Sequence, residues 1–477
     1  MHCAPTPHIA TTATRPAHLA APTRHELGHK RRIGGTFGSP LPTDRSNPEF
    51  GMRQLKSPHA SLAGVTLCLL ALGAVDASRT RQPTASRDAS AQMTALGQAI
   101  FHDENLSLNK NQSCASCHDG SSGFAAADEE INANGAVMFG SVRSRFGNRK
   151  PPSAAYASES PVFHYDTKDS VWVGGEFWDG RATGQRLGNP VAEQALQPFV
   201  NPVEQALPDI ACVVYRVMHG AYAPLASPVL GDETARIRFP ANTDTLCSRE
   251  AARVPLPQAD RARVLEAYDV IGLSIALFEK SSAMNQFSSK YDAYLAGRAT
   301  LTAQERRGLE LYEKKGKCAA CHPNSGERAL FTDFTYDNIG VPRNPRNPAL
   351  RTDSSFRDLG LGGVLGDSTL RGAHKVPTLR NIDRRHAPGV PKAYMHNGVF
   401  KTLEEVVHFY NTRDVLPTCE SLSHQKTGVN CWPAPEVAEN VNTEELGNLE
   451  LTAEEERALV TYLRTLTDGY AIPRPER

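Results

Sequence analysis

Two copies of the pattern C-x-x-C-H constrain this chain more than any other feature of its sequence. The copies read Cys114-Ala-Ser-Cys117-His118 and Cys318-Ala-Ala-Cys321-His322. In this pattern the two thiols form thioethers with the vinyl groups of a haem, and the adjacent histidine ligates the iron. A disulfide or half of a zinc site is the alternative for one copy. Two copies in one chain favour two covalently bound haem c groups.

The spacing of the two motifs predicts two haem domains. Their histidines are 204 residues apart (322 − 118), which gives each haem its own segment of chain. A weak repeat supports this division, because Gly97-Gln-Ala-Ile-Phe101 precedes the first motif as Gly308-Leu-Glu-Leu-Tyr312 precedes the second. We therefore predict an N-terminal c-haem domain at 92–300 and a C-terminal c-haem domain at 301–477.

Local signals favour helices over strands. Capping boxes predict three helix starts, at Thr302 with Glu305, Thr402 with Glu405 and Thr452 with Glu455. Residues 258–281 carry an apolar helical face formed by Val264, Leu265, Tyr268, Ile271, Ile275 and Phe278, and residues 452–466 repeat the pattern. Strand signals are few, and long Gly/Pro-rich loops fill the gaps. The sequence predicts a mostly α protein with two cytochrome c-like haem domains and long loops.

The N-terminal 91 residues read as segments outside the fold. Residues 1–51 lack apolar periodicity and are expected to be a non-native upstream extension. Residues 52–77 have a basic start, an apolar stretch at 62–75 and a cleavage site after Ala77, which is the pattern of a signal peptide. A short buried helix is the alternative, but the polar stretch 78–91 that follows reads as a linker.

The charge balance excludes some classes of partner. The chain has 52 basic and 52 acidic residues, and residues 1–77 hold 8 and 4 of them, which leaves 44 against 48, a net charge of −4. Such a chain has no electrostatic footprint for nucleic acid.

No run reaches the 18 or so apolar residues that a membrane span needs, so an integral membrane protein is not expected. The signal peptide predicts export to the periplasm.

Four cysteines remain after the two motifs are set aside. They are Cys212, Cys247, Cys419 and Cys431. An even number of cysteines in an oxidising compartment indicates disulfides, and four cysteines allow three pairings. The simplest pairing is Cys212 with Cys247 and Cys419 with Cys431.

Further motifs follow one another in an order that identifies a family. They are Phe177-Trp178-Asp179-Gly180-Arg181, Gln194 with Pro198, Asn201-Pro202-Val203-Glu204, Phe331-Thr-Asp333, Lys375-Val-Pro-Thr-Leu-Arg-Asn381, His396-Asn-Gly398 and Thr402-Leu-Glu-Glu-Val-Val-His-Phe-Tyr410. With the two haem motifs, they make the chain resemble the bacterial dihaem cytochrome c peroxidases, and more narrowly their MauG-like branch. The resemblance covers roughly residues 95–470.

The resemblance assigns roles around the first haem. It implies that this haem reacts with hydrogen peroxide and that His118 is its proximal ligand. Gln194, Pro198 and Glu204 match the family's distal pocket, where a carboxylate can take a proton from one peroxide oxygen and deliver it to the other. We expect Glu204 to be this acid/base and Gln194 to orient peroxide or a water. Without the resemblance, Glu204 reads equally well as an exposed loop carboxylate.

The resemblance also implies a path between the haems. Trp178 matches the tryptophan that lies between them and lets electrons or holes pass. A tryptophan buried in the core is the alternative, and both descriptions can hold at once.

The first departure from ordinary members of the family concerns the resting state of the first haem. Ordinary members hold the resting first haem closed with a histidine sixteen residues after the motif histidine, where this chain has Asn134. The only histidine between His118 and Trp178 is His164, so the first haem is expected to be open. The resemblance therefore predicts that peroxide reacts without prior reduction of the protein.

The second departure concerns the iron of the second haem. Ordinary peroxidases use a methionine fourteen residues after the histidine of the His-Asp/Asn-Gly motif, and counting from His396 leads to Tyr410, as in the MauG-like branch. A phenolate stabilises ferric and higher oxidation states, whereas methionine raises the potential. We expect Tyr410 to be the sixth ligand, with Met395 and His408 as rivals.

A third departure weakens an expectation of calcium. The family bridges its domains with Ca²⁺ through an asparagine beside an Arg-x-Pro-Ser-type loop, where this chain has Lys150. A cation cannot ligate a cation. Calcium is therefore a doubtful cofactor here.

Three functions compete at this stage. The preferred one is a MauG-like enzyme that reacts with hydrogen peroxide, stores oxidising equivalents over two haems and oxidises a side chain of a partner protein. The second is a cytochrome c peroxidase that takes electrons from a small cytochrome or copper protein. The third, a dihaem electron carrier without catalysis, is disfavoured by Gln194 and Glu204. The sequence identifies neither the redox partner or substrate protein nor the oligomeric state.

Overall fold

The computed structural model describes residues 84–472, with side chains from residue 88 onwards. The expected upstream extension (1–51) and signal peptide (52–77) lie outside the described residues. The first helix, α1, begins at Thr84, so the predicted linker 78–91 is helical from this residue on. No helix of the described part is long and apolar enough to cross a bilayer.

Helices dominate the described residues, as the sequence predicts. The α-helices, in chain order, are α1 (Thr84–Phe101), α2 (Glu129–Ala133), α3 (Pro190–Val200), α4 (Ile210–His219), α5 (Ala223–Ala235, interrupted at Gly231), α6 (Thr243–Cys247), α7 (Gln258–Lys280), α8 (Lys290–Leu295), α9 (Ala303–Glu313), α10 (Gly360–Leu365), α11 (Leu403–Thr412) and α12 (Ala453–Arg464). The strands form two antiparallel pairs, β1 (His164–Asp166) with β2 (Val171–Val173) and β3 (Tyr336–Asp337) with β4 (His374–Lys375).

The predicted helix starts are confirmed. Reciprocal capping bonds link Thr302 with Glu305 at the start of α9, and the same box begins α11 and α12. The predicted apolar helix is α7, but its expected core residue Leu265 is 48% exposed. Leu265 follows Val264 directly and so points about 100° away from the buried stripe that begins there. The prediction for Leu265 is therefore wrong.

The buried apolar side chains form two large cores. One core draws on residues between Leu96 and Met284, and the other on residues between Tyr291 and Leu466. The two cores lie on either side of the predicted boundary between 300 and 301. The division into domains 92–300 and 301–477 remains a prediction.

A matched pair of glycines explains the weak sequence repeat. A Cβ atom on Gly97 would lie 2.0 Å from the carbonyl oxygen of Ser274, so α1 can cross α7 at this distance only with glycine. A Cβ atom on Gly308 would lie 2.0 Å from the carbonyl oxygen of Ala458, where α9 crosses α12. The same close helix crossing therefore occurs ahead of each C-x-x-C-H motif.

Both predicted disulfides are confirmed. Cys212 on α4 pairs with Cys247 at the end of α6, and Cys419 pairs with Cys431 in the loop between α11 and α12. Each bridge lies in one of the two segments that carry a haem motif.

Candidate functional site

The first C-x-x-C-H motif forms a helical turn in the wall of a cavity. Cys114–Ser116 is a 3-10 turn, and the N–H of His118 donates to the carbonyl of Cys114 over 2.9 Å. Both motif cysteines are outside any disulfide, and both line the cavity together with His118. His118 Nδ1 lies 3.2 Å from the carbonyl oxygen of Phe124. A backbone partner on Nδ1 leaves Nε2 as the nitrogen that can ligate a metal.

The second motif repeats this geometry in a second cavity. Cys318–Ala320 is again a 3-10 turn, and the N–H of His322 donates to the carbonyl of Cys318 over 2.9 Å. His322 Nδ1 lies 2.8 Å from the carbonyl oxygen of Phe331. Burial lowers the pKa of His118 and of His322, which favours the neutral imidazole that binds iron.

The alternatives to haem do not fit the motifs. None of the four motif cysteines forms a disulfide. Among the described residues, the one cluster of three His, Cys, Asp or Glu side chains with ligand atoms within 4.8 Å of one another is Asp358, His374 and His396. This cluster contains no cysteine, so neither motif has the further ligands of a tetrahedral zinc site.

The three residues expected on the peroxide side of the first haem line one cavity. Gln194 and Pro198 are on α3, and Glu204 follows the turn that ends this helix. The carbonyl of Pro198 accepts the N–H groups of Asn201 and Gln205, so the chain folds back on the helix. This turn brings Glu204 to the cavity that also contains His118.

Glu204 has the surroundings of a proton-transfer group. Its Oε2 accepts a hydrogen bond of 2.7 Å from Asn201 Nδ2. Burial raises the pKa of Glu204, and the hydrogen bond from Asn201 and the charge of Arg181 act in the opposite direction. A carboxyl group with a raised pKa can both accept and return a proton during a reaction.

Three further polar residues line the first cavity and were missed from the sequence. The guanidinium of Arg181 donates to Asp179 over 2.8 Å and lies 3.7 Å above the ring of Phe177. Gln205 is 3% exposed, and neither atom of its amide has a hydrogen-bond partner among the described residues. Glu279 on α7 is buried, which raises its pKa well above the ordinary value. Arg181 lies in a motif that drew attention to Trp178, whereas Gln205 and Glu279 carry no sequence signal.

Trp178 contributes to the walls of both cavities. It is 7% exposed, and its Nε1 donates to the carbonyl of Lys150 over 2.8 Å. Its ring meets the imidazole of His396 edge-on with the centroids 6.4 Å apart. The residue is thus both a core tryptophan and a component of the wall that the two cavities share.

Tyr410 and Met395 line the second cavity, and their rival His408 does not. Tyr410 is on α11, and it shares this cavity with His322. His408 Nδ1 instead lies 2.9 Å from the carboxylate of Glu456. Burial, and secondarily the neighbouring thiols, raise the pKa of Tyr410, so a phenolate here requires a cation such as ferric iron in the cavity.

The residues named for a distal histidine lie away from the first cavity. Asn134 ends α2, is exposed and donates from its amide to the carbonyl of Glu130 over 2.8 Å. His164 is exposed in β1. Met138, which the sequence did not single out, lines the cavity.

The two cavities fit haem groups. Each contains a complete C-x-x-C-H motif, and each has buried polar atoms without a partner among the described residues, which a cofactor with a polar edge can satisfy. In the first cavity these atoms are the amide of Gln205 and Oε1 of Gln112. In the second cavity they are Nε2 of His374 and of His396, which form no hydrogen bond but lie 3.4 Å from Asp358 and 3.7 Å from Glu436, respectively.

A bridging calcium ion does not fit. Lys150 stands at the expected ligand position, and the nearby carboxylates of Glu176, Asp179 and Asp358 are paired with protein cations. The cluster of Asp358, His374 and His396 offers two nitrogen atoms, whereas calcium takes oxygen ligands.

The chain is similar to dihaem peroxidases of known sequence and structure. The model of the di-haem cytochrome c peroxidase family matches residues 91–300. Methylamine utilization protein MauG of Paracoccus denitrificans is 34% identical over 391 residues, which are 80% of this chain and 90% of MauG. Cytochrome-c peroxidase IdrP2 of Denitromonas iodatirespirans is 25% identical over 372 residues, 74% of this chain and 82% of IdrP2. Among solved structures, the diheme peroxidase BthA of Burkholderia thailandensis aligns with a TM-score of 0.61 at 31% identity, covering 79% of this chain and 86% of BthA.

Proposed function

This chain belongs to the di-haem cytochrome c peroxidase family, and from that premise we propose that it stores the oxidising equivalents of hydrogen peroxide over two haems to oxidise a side chain of a partner protein. Family membership makes it a haem-dependent oxidoreductase that reacts with peroxide. The observation that carries the finer proposal is Tyr410, which lines the second cavity where ordinary peroxidases use methionine.

The first cavity is the place where peroxide reacts. When bound, the two haems supply the iron that binds peroxide and the two electrons that cleave its O–O bond. Glu204 accepts a proton from one peroxide oxygen and returns it to the other, which leaves as water. Gln194 orients the peroxide from α3, and Pro198 shapes the pocket beside it. His118 and His322 would hold the two irons, and the four motif cysteines would hold the haem edges.

The second cavity and the shared wall explain how oxidising equivalents are stored. Tyr410 would hold the second iron through its phenolate, whose negative charge would stabilise ferric and higher oxidation states. Trp178, in the wall of both cavities, would be the path for electrons between the two haems. A protein that holds two equivalents in this way can wait for a slow reaction with a partner protein.

Export to the periplasm is part of the proposal. The predicted signal peptide supports it, and so do the two disulfides, because disulfides persist in oxidising compartments. Haem attachment to the motif cysteines would then take place after export.

The second candidate function is a cytochrome c peroxidase. The first cavity favours it equally, because Gln194 and Glu204 serve peroxide cleavage whichever molecule supplies the electrons. The two functions differ at the second iron, where a peroxidase needs a site that is readily reduced by a small cytochrome or copper protein.

Replacing the proposed ligand tests the proposal. Tyr410→Met should raise the midpoint potential of the second haem, because a neutral thioether stabilises ferrous iron relative to a phenolate. The variant should also lose the long-lived oxidised state and reduce peroxide with electrons from a reduced cytochrome. Redox titration and stopped-flow spectra after peroxide addition measure both effects.

A second tyrosine of the same cavity provides the control. Tyr394 donates its hydroxyl to Asp383 over 2.9 Å, so Tyr394→Phe removes a phenol oxygen that is already bound to protein. This variant should keep the potential of the wild-type protein. An unchanged potential and an unchanged oxidised state in Tyr410→Met would remove Tyr410 as ligand, and the MauG-like function with it.

A further inference from the structure

Lys150 is held rigidly at the junction of the two cavities. Its N–H donates to the carbonyl of His396 over 2.8 Å, and its own carbonyl accepts from Trp178 Nε1 over 2.8 Å. The preceding residue, Arg149, is fixed by ion pairs of 2.5 Å with both Asp179 and Asp358. The backbone of Lys150 is therefore clamped on both sides, and the residue lines both cavities.

The ammonium group of Lys150 has no anionic partner among the described residues. Its hydrogen bond there goes to the carbonyl of Pro151 over 3.0 Å, and no carboxylate of the described part lies within 4.0 Å. The nitrogen is 5.8 Å from the ring centroid of Trp178, within the range of a cation–π interaction. Burial lowers the pKa of Lys150 to about 8, so the group is largely charged at neutral pH.

Three carboxylates of this wall, those of Glu176, Asp179 and Asp358, are already paired with protein cations. A second lysine near Lys150, Lys392, donates to the carbonyls of Ser122 and Arg384. Lys375 donates to Glu176 over 2.8 Å, and Asp179 binds Arg181 as well as Arg149. A calcium ion takes six to eight oxygen ligands and favours carboxylates. A calcium ion could use these carboxylates at the junction only by displacing the protein cations that they bind.

We propose that Lys150 supplies, from the protein itself, the positive charge that a bridging calcium ion would bring between the two haems, and that the protein neither binds nor requires Ca²⁺. This inference rests on the proposed function only for the presence of both haems. A fixed cation between the cavities disfavours loss of an electron from either haem and from Trp178. Lys150 thus acts on the redox groups through its charge, from a fixed position, and is not a catalytic residue.

Metal analysis of the two-haem protein tests the first half of the proposal. After treatment with EGTA, the wild-type protein should contain no stoichiometric calcium. Its optical spectrum, midpoint potentials and thermal midpoint should not change when CaCl₂ is added. One retained calcium per chain, or a spectrum that EGTA changes and calcium restores, would overturn the proposal.

Charge variants test the second half. Lys150→Met should shift the midpoint potential of at least one haem to a lower value, because it removes a positive charge beside the oxidised form. Lys150→Arg keeps the positive charge, so this variant should keep the wild-type potentials. It also provides a charged variant to measure when Lys150→Met binds haem poorly. Unchanged potentials in Lys150→Met would contradict the proposed role.

A matched lysine provides the control. Lys401 binds the carbonyls of Asn132, Asn134 and Gly398, and burial lowers its pKa to about 8 as well, but it lines neither cavity. Lys401→Met should leave both potentials unchanged. None of these readouts uses peroxide, so the proposed function can fail while the inference about Lys150 stands, and the reverse also holds.

Discussion

Replacing Glu204 by glutamine tests the proton transfer at the first haem. The side chain keeps its size and its hydrogen-bonding capacity towards Asn201, so the turn after α3 should be preserved. The variant loses only the ability to accept and return a proton. Haem content should be unchanged, because Glu204 is not a ligand.

The expected loss of rate follows from the role of a positioned acid/base. Such a group contributes about 10²–10⁴-fold to the rate of a proton-transfer reaction. At 1.36 kcal/mol for each tenfold change, the activation barrier of the peroxide reaction rises by about 3–5 kcal/mol. Stopped-flow spectroscopy of the diferric protein mixed with peroxide measures this rate directly.

The pH dependence gives an independent check of the same residue. Because burial raises the pKa of Glu204 and the base is the ionised form, the rate should fall as the pH drops through that raised pKa. Asn201→Ala removes the hydrogen bond that favours the carboxylate, so the acid limb should move to higher pH. Glu204→Gln should have no acid limb from this group.

An exposed carboxylate serves as the control. Glu130 lies on α2, is exposed and is absent from the lining of the cavity, so Glu130→Gln should react with peroxide at the wild-type rate. A wild-type rate in Glu204→Gln, or the same acid limb in both proteins, would refute the assignment of Glu204 as acid/base.

Three further predictions concern cofactors and stability. A pyridine haemochrome assay should give two haems per chain that acid-acetone does not extract, and one extractable haem would contradict covalent attachment at both motifs. The resting diferric protein should show a high-spin haem in its electron paramagnetic resonance spectrum, whereas two low-spin haems would indicate a sixth ligand such as Met138. Replacing both Cys212 and Cys247 by serine should lower the free energy of unfolding by about 4 kcal/mol, against about 3 kcal/mol for Cys419 and Cys431, because the closed loops span 35 and 12 residues. Denaturation in guanidinium chloride measures the loss of unfolding free energy for each disulfide. A larger loss for the Cys419–Cys431 disulfide would contradict the explanation by loop entropy.

The sequence predicts the parts of this protein that depend on local signals. The capping boxes of α9, α11 and α12 depend on residues three positions apart, and a threonine followed by a glutamate at that spacing specifies them. The haem motifs are equally local. Pairing of neighbouring cysteines, the simplest of three possibilities, predicts both disulfides, and both are present.

The parts that the sequence does not predict depend on contacts between distant segments. Gln205 and Glu279 reach one cavity from a turn and from a long helix 74 residues apart (279 − 205). Lys150 and His396 are joined by a backbone hydrogen bond, although they belong to different predicted domains. No periodicity or spacing in the chain encodes such a juxtaposition. The prediction that Leu265 belongs to the apolar face is wrong for a related reason. A hydrophobic residue next to an apolar stripe does not reveal which side of the helix is buried.

Helix geometry separates two of the candidate ligands for the second iron. The sequence predicts Tyr410 from its offset of fourteen residues from His396, and its rival His408 lies two residues earlier on the same helix. Residues two apart on a helix face nearly opposite sides, about 200° around the axis. Tyr410 faces the cavity while His408 binds Glu456, which favours the tyrosine by geometry.

The central claim is that both haems share the two oxidising equivalents of one peroxide molecule. The most direct measurement is a Mössbauer and optical titration of the diferric, iron-57-labelled wild-type protein with one equivalent of hydrogen peroxide and no reductant. Our account predicts that the signals of both iron sites change together and that the oxidised protein persists until a reductant is added. A change confined to the first iron, or no reaction until the second haem has been reduced, would contradict it and identify the protein as a cytochrome c peroxidase.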